Sequence, residues 1–254
     1  MLLAIDIGNT NVVMGLFDER NLVGSTRLST PARLTADEAR TLAESFVRRE
    51  KARDKNVRKV AISSVVPHLT GAFTACCQEA FGCRAIVVSF RSRLPITIDI
   101  DYPEQIGADR IANSVASYAE YGGPAIIVDL GTAVTFDVIN AHGAYVGGVI
   151  VPGPETSMAQ LARNAARLFE VPFEQPGAVV GRSTEAALKS GLFYGTVGQV
   201  DYIIDRIIEE IGFENGRIIA TGGLAAGLER HSRHIELVVP ELTLEGLRLI
   251  AELN

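Results

Sequence analysis

The chain has 254 residues, 47% of them hydrophobic, with 24 Lys and Arg against 30 Asp and Glu and a formal net charge of −6. That is enough apolar material for one large core or two ordinary ones, while an acidic chain whose basic residues are scattered argues against a nucleic-acid surface. No apolar run approaches the ~18 residues of a membrane span, and no basic-then-apolar leader precedes the first strand, so a cytoplasmic protein without membrane contact is expected.

In chain order, Leu2 to Asp6, Val12 to Phe17 and Val23 to Leu28 read as strands joined by tight turns at Gly8-Asn9 and Glu19-Arg20-Asn21. Thr35 and Glu38 form a capping box ahead of a helix to about Glu50, with Ala39, Leu42, Ala43, Phe46 and Val47 on one face. The continuous apolar run from Lys59 to Val66, stopped by Pro67, predicts a buried parallel strand. A helix from about His68 to Phe81 and a strand at Arg84 to Ser89 follow, an α/β pattern. Cys76, Cys77 and Cys83 are odd in number and lack C-x-x-C spacing, which points to reduced, packed thiols.

The second half repeats the scheme. Ala125 to Asp129, Val134 to Ile139 and Ala144 to Ile150 are again strands, with a helix from about Glu155 to Leu168. A long helical region from Thr184 to Ile211 carries Gly191, Gly195 and Gly198 on one face, which suits either packing within the protomer or a contact between subunits. A strand at Arg217 to Ala220, a loop at Thr221-Gly222-Gly223, a short helix to Glu229, a strand at Glu236 to Val239 and a terminal helix through Leu253 complete the chain. His231 and His234, among Arg230, Ser232 and Arg233, read as a solvated helix end or loop rather than a metal site. The boundary between halves is expected on a helix within residues 109–124, giving domains 1–115 and 116–254.

Asp6-Ile7-Gly8-Asn9-Thr10 and Asp129-Leu130-Gly131-Thr132 each follow one apolar strand and lead into another. Glycine lets the backbone turn tightly toward an anion, hydroxyl and amide side chains add donors, and the Asp can hold a cation or its water shell. A single D-x-G turn is often an ordinary hairpin; two, half a chain apart, suggest related halves that share a nucleotide. Thr221-Gly222-Gly223 offers a flat glycine surface for a purine. Asp109 and Arg110, after Gly107 and Ala108, open a helix, where a carboxylate is kept ionised; the pair suits either a helix cap with an exposed Arg or a base that accepts a hydroxyl proton.

The two hairpins and the glycine loop, in that order, resemble the phosphate, phosphate and adenosine elements of the actin-like ATPase and sugar-kinase superfamily. The whole chain further resembles type III pantothenate kinase, the first enzyme of coenzyme A synthesis. The matching residues are D-I-G-N-T-N at 6–11, Y-P-E-Q-I-G-A-D-R at 102–110, D-L-G-T-A at 129–133, Y-V-G-G-V-I-V-P-G at 145–153, G-R-S-T at 181–184 and A-T-G-G-L-A at 220–225. The resemblance implies an α/β fold of two duplicated actin-like (ribonuclease H-like) domains, with mixed sheets flanked by helices. It implies that Asp6, Ile7, Gly8, Asn9, Thr10, Asn11, Val12 and Val13 hold the ATP phosphates and that Thr132 adds a hydroxyl. Tyr102, Gly107, Ala108, Asp109, Arg110 and Thr184 would bind pantothenate, with Asp109 as proton acceptor. Magnesium would lie near Asp6 and a monovalent cation, potassium or ammonium, at Asp129, in a homodimer. Ser183 stands where the family pattern leads one to expect Asn. The other functions that fit the same motifs are a kinase for another small hydroxylated metabolite and a non-enzymatic regulator that keeps the ATP fold.

Overall fold

A computed structural model of the chain describes residues 1–50 and 56–254. Strands β1 (Leu2–Ile7) and β2 (Asn11–Asp18) pair antiparallel from Leu2↔Phe17 to Ile7↔Val12. Alternate side chains of a strand point to opposite faces, and Leu3, Ile5, Ile7, Val12, Met14 and Leu16 all enter one buried cluster. β3 (Asn21–Ser29) closes this side of the sheet as an edge strand. The capping box of α1 (Ala36–Arg49) forms as read: the Thr35 hydroxyl accepts from the Glu38 amide, and the Glu38 carboxylate accepts the Thr35 amide at 2.8 Å. Those bonds from Thr35 hold the Glu38 carboxyl below its ordinary pKa.

β4 (Lys59–Ser64) runs parallel to β1, and β5 (Ala85–Val87) parallel to β4, with α2 (Pro67–Phe81) as the crossover. The expected strand to Val66 stops at Ser64, whose hydroxyl accepts the Val66 amide at 3.1 Å and turns the chain before Pro67 opens α2. Cys76 and Cys77 are buried on α2 in the same cluster, as free thiols. The short strand β6 (Thr97–Ile98), a 3-10 turn at Pro103–Gln105 and α3 (Ala108–Tyr121) follow.

The chain forms two units, residues 1–120 with 241–254, and residues 121–240. In the second, β7 (Ala125–Leu130), β8 (Ala133–Ile139) and β9 (Ala144–Pro152) form the meander. α4 (Pro154–Asn164) stops short of the expected Leu168. α5 (Thr184–Ile211), β10 (Arg217–Thr221), α6 (Ala225–Leu228) and β11 (Leu237–Val238) complete the unit. The last helix, α7 (Leu242–Leu253), packs on β1 and β4 of the first unit, which a division by sequence order does not reach. There its Thr243 hydroxyl bonds the buried Asn113 of α3 at 2.7 Å.

The duplication is explicit in the topology. Strand order is β3-β2-β1-β4-β5 in the first sheet, and the second unit repeats it as β9-β8-β7-β10-β11, with antiparallel and parallel pairs in the same places. A register break falls between Leu16 and Phe17 in one meander and between Val138 and Ile139 in the other, equivalent positions once the first hairpin's extra residue is allowed for. Both first strands are buried throughout except at the fifth residue, which is half-buried: Asp6 in β1 and Asp129 in β7. The expected α/β fold of duplicated halves, mixed sheets flanked by helices, is what the structure has.

Candidate functional site

In the first unit, the β1–β2 hairpin closes with the Gly8 amide donating to the Asn11 carbonyl at 2.9 Å. Asn9 and Thr10 form its exposed tip. Ile7 and Val12 are 0% and 2% exposed, so among the residues expected to hold phosphates these two have only backbone to offer. Asp6 and Val13 pair across the strands, both half-buried, on the face opposite Ile7. Thr30, just beyond β3, braces the turn: its amide donates to the Thr10 carbonyl at 2.8 Å and its hydroxyl to the Gly8 carbonyl at 2.6 Å.

Gly107 precedes α3, and the Ile111 amide donates to its carbonyl at 3.1 Å, closing the first turn. Asp109 folds back over that helix start. Its Oδ1 accepts the Arg110 amide at 2.9 Å and lies close against Gly107, where a Cβ would displace the carboxylate. Asp109 and Arg110 are half-buried, whereas Tyr102, ahead of the 3-10 turn, is 61% exposed.

In the second unit, the Gly131 amide donates to the Ala133 carbonyl at 3.0 Å, and Thr132 is the exposed tip. The bracing repeats that of the first hairpin: the Gly153 amide, just beyond β9, donates to the Thr132 carbonyl at 3.0 Å, and the Thr156 hydroxyl to the same oxygen at 2.7 Å. Asp129 registers with Thr221 on β10. The loop after Thr221 then lies flush on this hairpin. Gly222 adopts a φ of +90°, and the Leu224 amide reaches the Leu130 carbonyl at 3.3 Å. The second phosphate-type hairpin and the glycine surface thus come together as one continuous backbone wall.

Thr184 is exposed as the first residue of α5. Ser183 is that helix's cap, its hydroxyl accepting the Ala186 amide at 3.1 Å. Ser and Asn are equally good caps, so the departure at 183 leaves the helix start intact. Gly191, Gly195 and Gly198 are exposed, and a Cβ added to any of them meets nothing within 4 Å. Within the second unit, no described residue therefore packs closely on this stripe. Tyr202, one further turn along the same stripe, is 63% exposed.

A side-chain network that the sequence reading did not find secures the chain beyond α6. Asp201 of α5, 5% exposed, accepts the Ser232 hydroxyl at 2.6 Å and the Arg233 amide at 3.2 Å. Asp205, one turn on, accepts Arg233 Nη2 at 3.0 Å and lies 2.7 Å from His234 Nε2. Burial pushes the Asp205 carboxyl up, but the His234 bond and the nearby charges outweigh it and hold it below its ordinary pKa. His231 stacks edge-on against Phe193 at 5.0 Å. Both histidines are thus engaged on α5 rather than solvated at a helix end. The partners stand about thirty residues apart in sequence and meet only in the folded chain.

Among the described residues no group of three or more His, Cys, Asp or Glu is arranged to hold a metal ion. A cation at Asp6 or Asp129 would complete its shell from backbone carbonyls, water and phosphate oxygens, as hard cations with oxygen ligands do. A cleft of about 420 Å³ lined by Glu174, Arg182 and Lys189, and one of about 590 Å³ lined by Arg58, Lys59 and Arg84, contain none of the residues expected in the site.

Comparison with known proteins agrees with this architecture. A family model described as type III pantothenate kinase matches residues 2–206. The type III pantothenate kinase of Geobacter sulfurreducens is 43% identical over 254 residues, covering 100% of this chain and 99% of its own. That of Shouchella clausii is 41% identical over 255 residues, covering 100% of both. Among solved structures, the ROK hexokinase of Thermus thermophilus superposes with a TM-score of 0.54 at 13% identity, covering 99% of this chain and 98% of its own, a likeness of fold alone.

Proposed function

The chain belongs to the type III pantothenate kinase family, and we propose how its own residues carry out the family's reaction. It is a phosphotransferase that uses ATP to phosphorylate pantothenate to 4′-phosphopantothenate, the first step of coenzyme A biosynthesis. Phosphoryl transfer proceeds through a loose, charge-spread transition state, so the protein's task is to position the reactants and offset charge.

In our reading, residues 6–13 and Thr132 hold the ATP phosphates through backbone amides and tip hydroxyls, and Gly222 and Gly223 face the adenosine. Tyr102, Gly107, Ala108, Arg110 and Thr184 bind and orient pantothenate. Asp109 is the base: Arg110's amide occupies Oδ1, leaving Oδ2 to accept the primary hydroxyl's proton as that oxygen bonds to the γ-phosphorus and ADP departs. Asp6 would hold magnesium through its water shell, and magnesium when bound offsets phosphate charge. Asp129, at the same place in the second sheet, would hold potassium or ammonium. The observation that carries this assignment is the repeat itself, two braced hairpins each with a carboxylate at the end of its first strand.

The exposed stripe of Gly191, Gly195, Gly198 and Tyr202 supports a homodimer through α5, with Thr184 serving a site close to the contact. No helix among the described residues is long and apolar enough to cross a membrane, and we place the enzyme in the cytoplasm.

The test of the assignment is Asp109→Asn, which keeps the shape and removes the base. It is expected to retain ATP binding and lose about 100- to 10,000-fold in turnover. Turnover close to that of the parent would take Asp109 out of the catalytic role.

A further inference from the structure

Ser63 is 0% exposed, and its hydroxyl has no hydrogen-bond partner among the described residues. Buried polar groups are paired in the great majority of cases, and one left unpaired lowers stability. Its place in the sheet supplies the reason. β4 lies parallel to β1 in the register Asp6↔Ser63, and residues in register on adjacent strands, roughly 4.8 Å apart, send their side chains to the same face. Val60 and Ile62 of β4 enter the cluster that holds Ile5 and Ile7, so Ser63 lies on the other face, next to Asp6.

The second unit repeats the arrangement independently. β10 lies parallel to β7 in the register Asp129↔Thr221, and Thr221 is 2% exposed. Ile218 and Ala220 enter the cluster with Ile126 and Val128, which leaves Thr221 on the face of Asp129. Each sheet therefore carries a buried hydroxyl beside the carboxylate that ends its first strand. A residue selected for packing alone at either place would carry no hydroxyl, as Ala61 does two residues before Ser63.

We propose that Ser63 is a positioning residue for the phosphate-side carboxylate: its hydroxyl donates to Asp6 when the nucleotide is bound and fixes the carboxylate toward the magnesium–nucleotide. The proposal rests on the reading of Asp6 given above. Ser63 touches neither substrate, and its effect passes through Asp6 alone. Pantothenate binding is untouched, and Thr221 stands in the same relation to Asp129.

Ser63→Ala removes the hydroxyl, and Ser63→Cys keeps the size with a poor donor. Both are measured for thermal midpoint without nucleotide, for Mg-ATP binding by calorimetry, and for the magnesium dependence of turnover. We expect a midpoint equal to or above that of the parent. Mg-ATP affinity should fall about tenfold, the scale of a lost hydrogen bond to a charged group, with the KM for pantothenate unchanged and Ser63→Thr restoring most of the loss. Asp6→Asn separates the two readings. If it weakens Mg-ATP binding while Ser63→Ala and Ser63→Cys bind as the parent does, the role of Ser63 is overturned and that of Asp6 stands. If Asp6→Asn also binds normally, both fall. The double variant should be no weaker than Asp6→Asn alone; additive losses would contradict action through Asp6.

Discussion

Gly222 stands against Asp129 so closely that a Cβ on residue 222 would lie 2.5 Å from the Asp129 Oδ1 and 2.6 Å from the Leu130 carbonyl oxygen. Its φ of +90° is also one that side-chain-bearing residues rarely adopt. Both facts come from the same requirement, that the loop after β10 lie directly on the second hairpin. Gly222→Ala is therefore expected to strain the backbone by about 1–3 kcal/mol and to push the loop off the hairpin. Urea unfolding should show the loss of stability, and ATP titration a weaker affinity. Gly227→Ala, where a Cβ meets nothing within 4 Å, is the control and should leave the unfolding midpoint near that of the parent.

Gly195→Leu tests the exposed stripe on α5. Because nothing among the described residues lies within 4 Å of a Cβ there, the substitution should not damage the protomer, and exchanging Gly for a good helix former favours the helix by up to about 1 kcal/mol. Overpacking should appear only between subunits. Sedimentation should show a shift toward monomer, with ATP binding kept and pantothenate phosphorylation reduced. An intact, fully active dimer would move the contact elsewhere, and a fully active monomer would remove Thr184 from a shared site.

The Asp205–His234–Arg233 cluster makes a prediction about acid. Asp205 titrates in the folded protein below its ordinary 3.8 because the bond to His234 and the nearby charges outweigh desolvation. A carboxyl with a depressed folded pKa contributes stability above the unfolded value, and that contribution is lost as pH falls through the folded one. Stability should therefore drop below about pH 4, and Asp205→Asn should flatten this acid limb while leaving the alkaline side unchanged. Unfolding midpoints from pH 7 to pH 3 would show it; an identical acid limb in the variant would contradict it.

Local patterns carried the sequence reading a long way. The capping box of Thr35 and Glu38, the parallel strand ahead of Pro67 and the repeat of meander and crossover are each set by residues close together in the chain, and each is present in the structure. The bonds that shape the candidate site are of another kind. Thr30 on Gly8, Thr156 on Thr132 and Ser232 on Asp201 join residues 22, 24 and 31 positions apart, and a lone Ser or Thr gives no sign in sequence of which distant carbonyl or carboxylate it will meet. The packing of α7 on β1 and β4 was hidden for the same reason, since its apolar face fits any sheet and only the fold selects one.

Pantothenate-dependent ATP consumption in potassium buffer decides whether these residues form the site of a pantothenate kinase. The expected result is rapid ADP formation only when pantothenate and magnesium are both present, with 4′-phosphopantothenate as the product. Turnover should be lower when sodium replaces potassium and should recover with ammonium. ADP formation at the same rate without pantothenate, or with another hydroxylated metabolite in its place, would contradict the reading.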